Sequence, residues 1–308
     1  MNTSLRPMTT GEVLDRSFHL YRNHFLLFTG IAVGYSGCFL VGVFVLGSTG
    51  LFARGLDPTN IAPILLAELV LLLCSLIGYA LGLGATVSAV SRVHLGNTAG
   101  VGSSYKATGR LVPRFVRIVI SIFLRMFGAL ILTEILISVF VGAVSSAILA
   151  AGNSLVGRWI SIIFALGILV GGVVWAFRIF CRNSLAVAAC FVEQLPARQA
   201  MKRSKWLSAG YLGRIFLVFL LTGMLSAALV YLLILPGAFL AAKVPNVALI
   251  AIQVTAIFIA LTLAFPIGAI ATALFYYDLR VRKEAFDLQL MMQSVGEAQP
   301  EQAAAGIR

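Results

Sequence analysis

Three ionisable residues, Glu68, Arg125 and Glu134, stand inside long apolar runs of the sequence. A charge at the centre of a bilayer costs about 2.5–3.5 kcal/mol on insertion scales, so each should face a bundle interior, a watery cavity or the membrane surface. Arg125 lies near the start of its run, from which its side chain can reach back to the headgroups. Glu68 and Glu134 both fall toward the far end of the membrane, one on a segment entering from that side and one on a segment leaving toward it, and so can be neighbours. Two carboxylates side by side in lipid cannot both stay ionised and can share a proton, as a proton-coupled site requires. Each can equally make a single interhelical hydrogen bond or reach the outer surface, and the sequence leaves both readings open.

Other chemistry is short of parts. Gly34-Tyr35-Ser36-Gly37 has the GxSG form of intramembrane serine proteases, but that serine needs a base within hydrogen-bond reach. The histidines, His19, His24 and His94, lie beside basic segments away from Ser36, so the motif reads as chance. His19 and His24 miss the i, i+4 spacing of a zinc pair, and no HExxH or Walker A sequence occurs. Cys38, Cys74, Cys181 and Cys190 fall in or beside apolar runs without a CxxC pair, which suits packing. The chain is expected not to be an enzyme, with no catalytic, metal-binding or cofactor-binding residues and no cofactor.

The elements that carry these residues follow from composition. Of 308 residues, 60% are hydrophobic and only 11% charged, against about 25% charged in a water-soluble domain. A net charge of +12 suits nucleic acid only on a polar folded domain, and no segment here is long and polar enough to form one. A membrane surface is the better partner. Met1 to Thr10 lacks the apolar core of a secretory signal, so the first span is expected to be retained.

About 20 apolar residues cross the hydrocarbon core as a helix, and six stretches suffice: Phe25 to Gly47, Ile61 to Val90, Ile118 to Ala150, Trp159 to Phe177, Ile215 to Leu240 and Val247 to Tyr277. They are continuously apolar, without the alternation of a barrel strand. The fold class is therefore all-α, a polytopic membrane bundle of six spans. The second, third and sixth stretches are long, and should tilt, kink at Pro266 in the sixth, or continue as buried helix outside the lipid.

Basic residues orient the chain. Residues 1–24, 91–117, 178–214 and those after Asp278 hold 3, 5, 7 and 4 Lys/Arg, 19 of the 23, whereas the opposite side holds Arg54, Arg158 and Lys243. Cytoplasmic loops retain Lys and Arg, so both termini are placed in the cytoplasm of a bacterial inner membrane.

A repeat accompanies the spans. Leu14-Asp15-Arg16-Ser17-Phe18-His19-Leu20, Tyr105-Lys106-Ala107-Thr108-Gly109-Arg110-Leu111 and Met201-Lys202-Arg203-Ser204-Lys205-Trp206-Leu207 each read apolar, charged, any, Ser/Thr, any, any, Leu. Each precedes a pair of spans, giving quasi-repeat units at about 9–90, 100–177 and 196–290 of one membrane domain, with residues 291–308 expected to be a disordered tail. Thr9 and Glu12 can form a capping box on the first copy, placing Val13, Leu14, Ser17, Phe18 and Tyr21 on one face. Such helices lie in the headgroup layer. The basic residues on them and on the last helix, Arg16, Arg22, Lys106, Arg110, Lys202, Arg203, Lys205, Arg280, Arg282 and Lys283, are candidates for anionic lipid headgroups or a protein partner. The alternative is that the copies are plain elbows between spans. Because all three units enter the membrane in the same sense, the inverted repeat of many transporters is absent. Gly30-x-x-x-Gly34, Gly78-x-x-x-Gly82 and Gly167-x-x-x-Gly171 are read as intramolecular helix contacts.

Three stretches carry a family resemblance: Met8-Thr9-Thr10-Gly11-Glu12-Val13-Leu14-Asp15-Arg16-Ser17-Phe18-His19-Leu20-Tyr21-Arg22, then Glu193 with Ala200 to Leu207, and Phe275 to Glu284. Together they resemble bacterial proteins of the glycerophosphoryl diester phosphodiesterase membrane-domain family. The resemblance implies a membrane module that in some relatives is joined to a soluble phosphodiesterase domain, which this sequence does not show. Tyr276 and Tyr277 also suit an aromatic belt, and Asp278–Arg282, Arg280–Glu284 and Lys283–Asp287 are i, i+4 pairs. The resulting expectation is a non-catalytic membrane module that binds lipid or a partner, with a small transporter or channel built on Glu68, Arg125 and Glu134 as the alternative.

Overall fold

The computed structural model describes residues 8–48, 61–94, 98–151, 154–240 and 246–284, and these are helical apart from short connections. The elements are α1 (Thr10–Asn23), α2 (Phe25–Ser48), α3 (Ile61–His94), α4 (Val101–Thr108) with a 3₁₀ turn at Gly109–Leu111, α5 (Val112–Ala151), α6 (Ser154–Asn183), α7 (Ala186–Val192), α8 (Ala197–Ser208), α9 (Leu212–Leu240) and α10 (Asn246–Glu284). Six of them are long and apolar enough to cross a membrane, and the chain is an all-α polytopic membrane protein. The tail beyond Glu284, including Asp287, lies outside the described residues.

A short amphipathic helix followed by two long ones occurs three times: α1 before α2 and α3, α4 before α5 and α6, and α8 before α9 and α10. The two long helices of each set pack as a hairpin, and α10 also lies along α2 and α3. The short helices share one register. Val13 and Ser17 in α1, Ser104 and Thr108 in α4, and Ala200 and Ser204 in α8 are each fully buried i, i+4 pairs. In the same register Asp15, Lys106 and Lys202 are exposed. Small Ser or Thr fits the buried position because its hydroxyl finds a carbonyl. Ser17 donates to Val13 at 2.6 Å, Thr108 to Tyr105 at 2.9 Å and Ser204 to Arg182 at 2.9 Å. The capping box of α1 forms as its sequence requires, with Thr9 N–H donating to Glu12 Oε2 at 2.6 Å and Glu12 N–H to Thr9 Oγ1 at 3.3 Å. Phe18 departs from the expected apolar face and is 41% exposed.

At about 1.5 Å per residue the 40 residues of α5 and 39 of α10 run roughly 60 Å, twice the hydrocarbon thickness. The surplus of α10 is buried protein: Ala269 through Tyr276 are all buried, as are Gly82 through Val90 of α3. With α1, α4, α7 and α8 these ends form a packed head, while the opposite halves of the spans carry exposed apolar side chains such as Ile131, Ile163 and Leu232. α10 continues through Pro266, whose nitrogen cannot donate to the carbonyl four residues back, and the adjacent Leu263 carbonyl accepts from the Tyr21 hydroxyl at 3.2 Å.

The glycine pairs divide. Gly30 and Gly34 of α2 seat Val101 and Tyr105 of α4, and Gly78 and Gly82 of α3 admit Cys38, Tyr35 and Phe265. Gly167 and Gly171 of α6 correct the expectation, since a Cβ at either meets no atom within 4 Å. The close α5–α6 approach is at Gly172, against Thr133. At Gly84 a Cβ would stand 2.4 Å from the fully buried Phe115 ring. Gly84→Ala should therefore lose about 1–3 kcal/mol by overpacking, read as thermal unfolding in a mild detergent, while Gly167→Ala should be neutral. Equal effects at both positions would refute this packing.

Candidate functional site

Charged residues gather at the head, where the three units meet. Asp278 of α10 has a fully buried side chain. Its Oδ1 accepts the Met8 N–H at 2.6 Å, and Oδ2 pairs with Arg282 Nε at 3.0 Å and Arg214 Nη1 at 3.5 Å. Arg214, on α9, also donates to the Met8 carbonyl at 2.7 Å and Thr10 Oγ1 at 3.2 Å, and Arg282 donates to the same carbonyl at 2.5 Å. Both backbone groups of Met8, otherwise orphaned by burial, are thereby satisfied. The segment before α1 is clamped to α9 and α10.

A second knot lies beside it. Glu193, following α7, accepts from Arg203 Nε of α8 at 3.0 Å and from the Tyr276 hydroxyl at 2.7 Å. Arg203 reaches on to Glu284, which also pairs with Arg280 at 3.0 Å. Burial works against the Arg203 charge, but Glu193 and Glu284 outweigh it, and the guanidinium pKa is raised. Lys283 donates to the carbonyls of Trp206 and Ala209 at 2.5 and 2.8 Å and sits 5.0 Å over the Trp206 ring. This helix end is thereby tied to the close of α8.

These contacts sort the basic candidates. Arg203, Arg280, Arg282 and Lys283, four of the lipid or partner candidates, have partners within the protein. Arg22, Lys106, Arg110 and Lys202 are exposed, and they and the half-buried Lys205 make no ion pair among the described residues. Arg16 is half-buried, with Nη1 3.8 Å from the Met8 sulfur. Of the i, i+4 pairs, Asp278–Arg282 and Arg280–Glu284 both close at 3.0 Å. Tyr276 is fully buried and Tyr277 shares a 2.7 Å hydrogen bond with Ser91, so both serve the head and not an aromatic belt.

Glu68, Arg125 and Glu134 are not brought together. All three are exposed, and no hydrogen bond or ion pair joins them among the described residues. Arg125 instead points to α8, with Nη1 3.8 Å from the Met201 sulfur. Ser36 of the GxSG run is buried and shares a 2.6 Å hydrogen bond with Thr262, a hydroxyl that cannot act as its base. Among the described residues no group of three His, Cys, Asp or Glu could hold a metal. Sequence reasoning missed Arg214 and the part of Asp278 in anchoring Met8, contacts that join residues 206 and 270 apart in the chain. No protein-family model, curated protein or solved structure matches this chain.

The neighbours Lys202 and Arg203 should respond differently. Arg203→Ala leaves two carboxylates without their shared partner and should lose about 2–3 kcal/mol, less than a fully buried pair because a quarter of the Arg203 side chain is exposed. Lys202→Ala should stay within about 0.5 kcal/mol. Chemical unfolding in detergent compares the two, and equal losses would contradict the separation.

Proposed function

We propose that the chain is a non-catalytic module of a bacterial inner membrane that binds anionic lipid, or a protein partner, through the basic surface of its head. In this reading it is a relative of the glycerophosphoryl diester phosphodiesterase membrane domain. The residues that carry that resemblance, Met8, Glu193, Arg203, Asp278, Arg280 and Glu284, support it by tying the start of the first unit and the segment after α7 to the third unit. The observation that carries the binding reading is the division of the cations. One set closes on three carboxylates, while Arg22, Lys106, Arg110 and Lys202 stand exposed on the elbow helices without carboxylate partners among the described residues. A cation at an anionic surface contributes about 1 kcal/mol. The head is assigned to the cytoplasm because it lies at the end of the spans where Lys and Arg concentrate. Transport through Glu68, Arg125 and Glu134 draws no comparable support, as the three do not share an interior site.

A periplasm-dependent reporter fused after Arg54, Arg158 or Lys243 should be active at all three positions, and inactivity at all three would reverse the topology. Extraction into native-lipid discs should enrich anionic lipid or recover a stoichiometric partner. Joint Gln substitution of Lys106, Arg110 and Lys202 should lower that recovery about fivefold or more. Bulk lipid alone with no partner, accompanied by solute flux in liposomes, would contradict the reading in favour of transport.

A further inference from the structure

Arg125 of α5, Arg182 of α6 and Lys205 of α8 make no ion pair among the described residues. They nevertheless converge. The Ser204 hydroxyl donates to the Arg182 carbonyl at 2.9 Å, which fixes the end of α6 beside the residue before Lys205. From the other side Arg125 reaches Met201, one turn before Lys205 on α8. Burial, and then the charges of Arg125 and Arg182, push the Lys205 amine below its usual pKa. Three like charges held together are unfavourable until an anion sits between them.

The surroundings indicate what kind of anion. An open groove of about 740 Å³ runs along α5 up to Arg125. Arg117, Ser121 and Arg125, spaced i, i+4, i+8, give it a polar strip, and Val116, Ile120 and Leu124 an apolar one. This groove lies on the head side of Arg125, and on the other side Phe127, Ile131 and Leu132 of α5 are exposed. A soluble anion would use only the cations and a membrane lipid also that apolar surface, and cationic pockets between spans on the cytoplasmic side suit anionic headgroups.

We propose that this cluster holds one anionic phospholipid, its phosphate among Arg125, Arg182 and Lys205 and its acyl chains running away from the head over the exposed Phe127, Ile131 and Leu132 of α5. The inference rests on the lipid-binding reading above and gives it a specific site.

The test uses the full chain in phosphatidylcholine discs with added phosphatidylglycerol, and native mass spectrometry counts retained lipid. Wild type should retain one phosphatidylglycerol, and Arg125→Gln with Arg182→Gln and Lys205→Gln should lower retention at least about tenfold. The charge-preserving Arg125→Lys with Arg182→Lys should keep it within about threefold. A phosphatidylglycerol with a photoreactive headgroup, used on wild type alone, should crosslink to the peptides holding Arg125 or Lys205, which tests the site even if the Gln variant does not fold. Retention by a folded Gln variant, crosslinks confined elsewhere, or full displacement by inorganic phosphate would overturn this site while leaving lipid binding standing. No preference of wild type for phosphatidylglycerol over phosphatidylcholine would overturn the site and the lipid reading together.

Discussion

The buried carboxylate of Asp278 sets the terms for the rest of the head. Removing such a charge from water is costly, and here it is offset by a backbone N–H from Met8 and the guanidinium groups of Arg282 and Arg214. Each partner comes from a different place: the start of the first unit, the next turn of the same helix, and the entry to α9. Satisfying one carboxylate therefore requires the two ends of the described chain to meet. Buried ion networks add little net stability compared with apolar packing.

The place of such contacts follows from the solvent. Lipid tails are as apolar as the span side chains, so the hydrophobic effect does not drive spans together, and association falls to close packing and polar contacts. The spans supply close packing where glycine permits, as at Gly78 against Cys38 and Gly84 against Phe115. Much of the surface of α5, α6 and α9 away from the head carries exposed apolar side chains. The ion pairs belong to the head, where α1, α4 and α8 each bury a small hydroxyl residue and leave a charge outside. One repeated sequence thus does two jobs, burying a small hydroxyl residue against its neighbours and keeping a charge exposed.

The architecture was legible because its signals are local. Apolar length gave six spans, Thr9 and Glu12 gave the cap of α1, and the spaced Ser17, Thr108 and Ser204 gave the repeat, all readable within a few residues. The assignment of charges was less legible because it depends on distant partners. Lys202 and Arg203 are adjacent in sequence, yet helix periodicity sends one outward and aims the other at Glu193 and Glu284. Tyr276 likewise resembles an interfacial aromatic until the head closes over it and Glu193 accepts its hydroxyl. Composition could not separate the used Gly78 and Gly82 from the open Gly167 and Gly171, since a glycine pair states only that close approach is allowed.

Hydrogen exchange in lipid discs tests the central claim, that the Asp278 clamp holds the first unit in the head. Asp278→Ala removes the acceptor of Met8 and the partner of Arg214 and Arg282. The account predicts that amides of Thr10–Asn23 then exchange at least about tenfold faster, a local loss of about 1.4 kcal/mol, while Phe25–Ser48 keeps its protection in the membrane. Unchanged protection of Thr10–Asn23 would contradict it, and the head would have to be held by apolar packing alone.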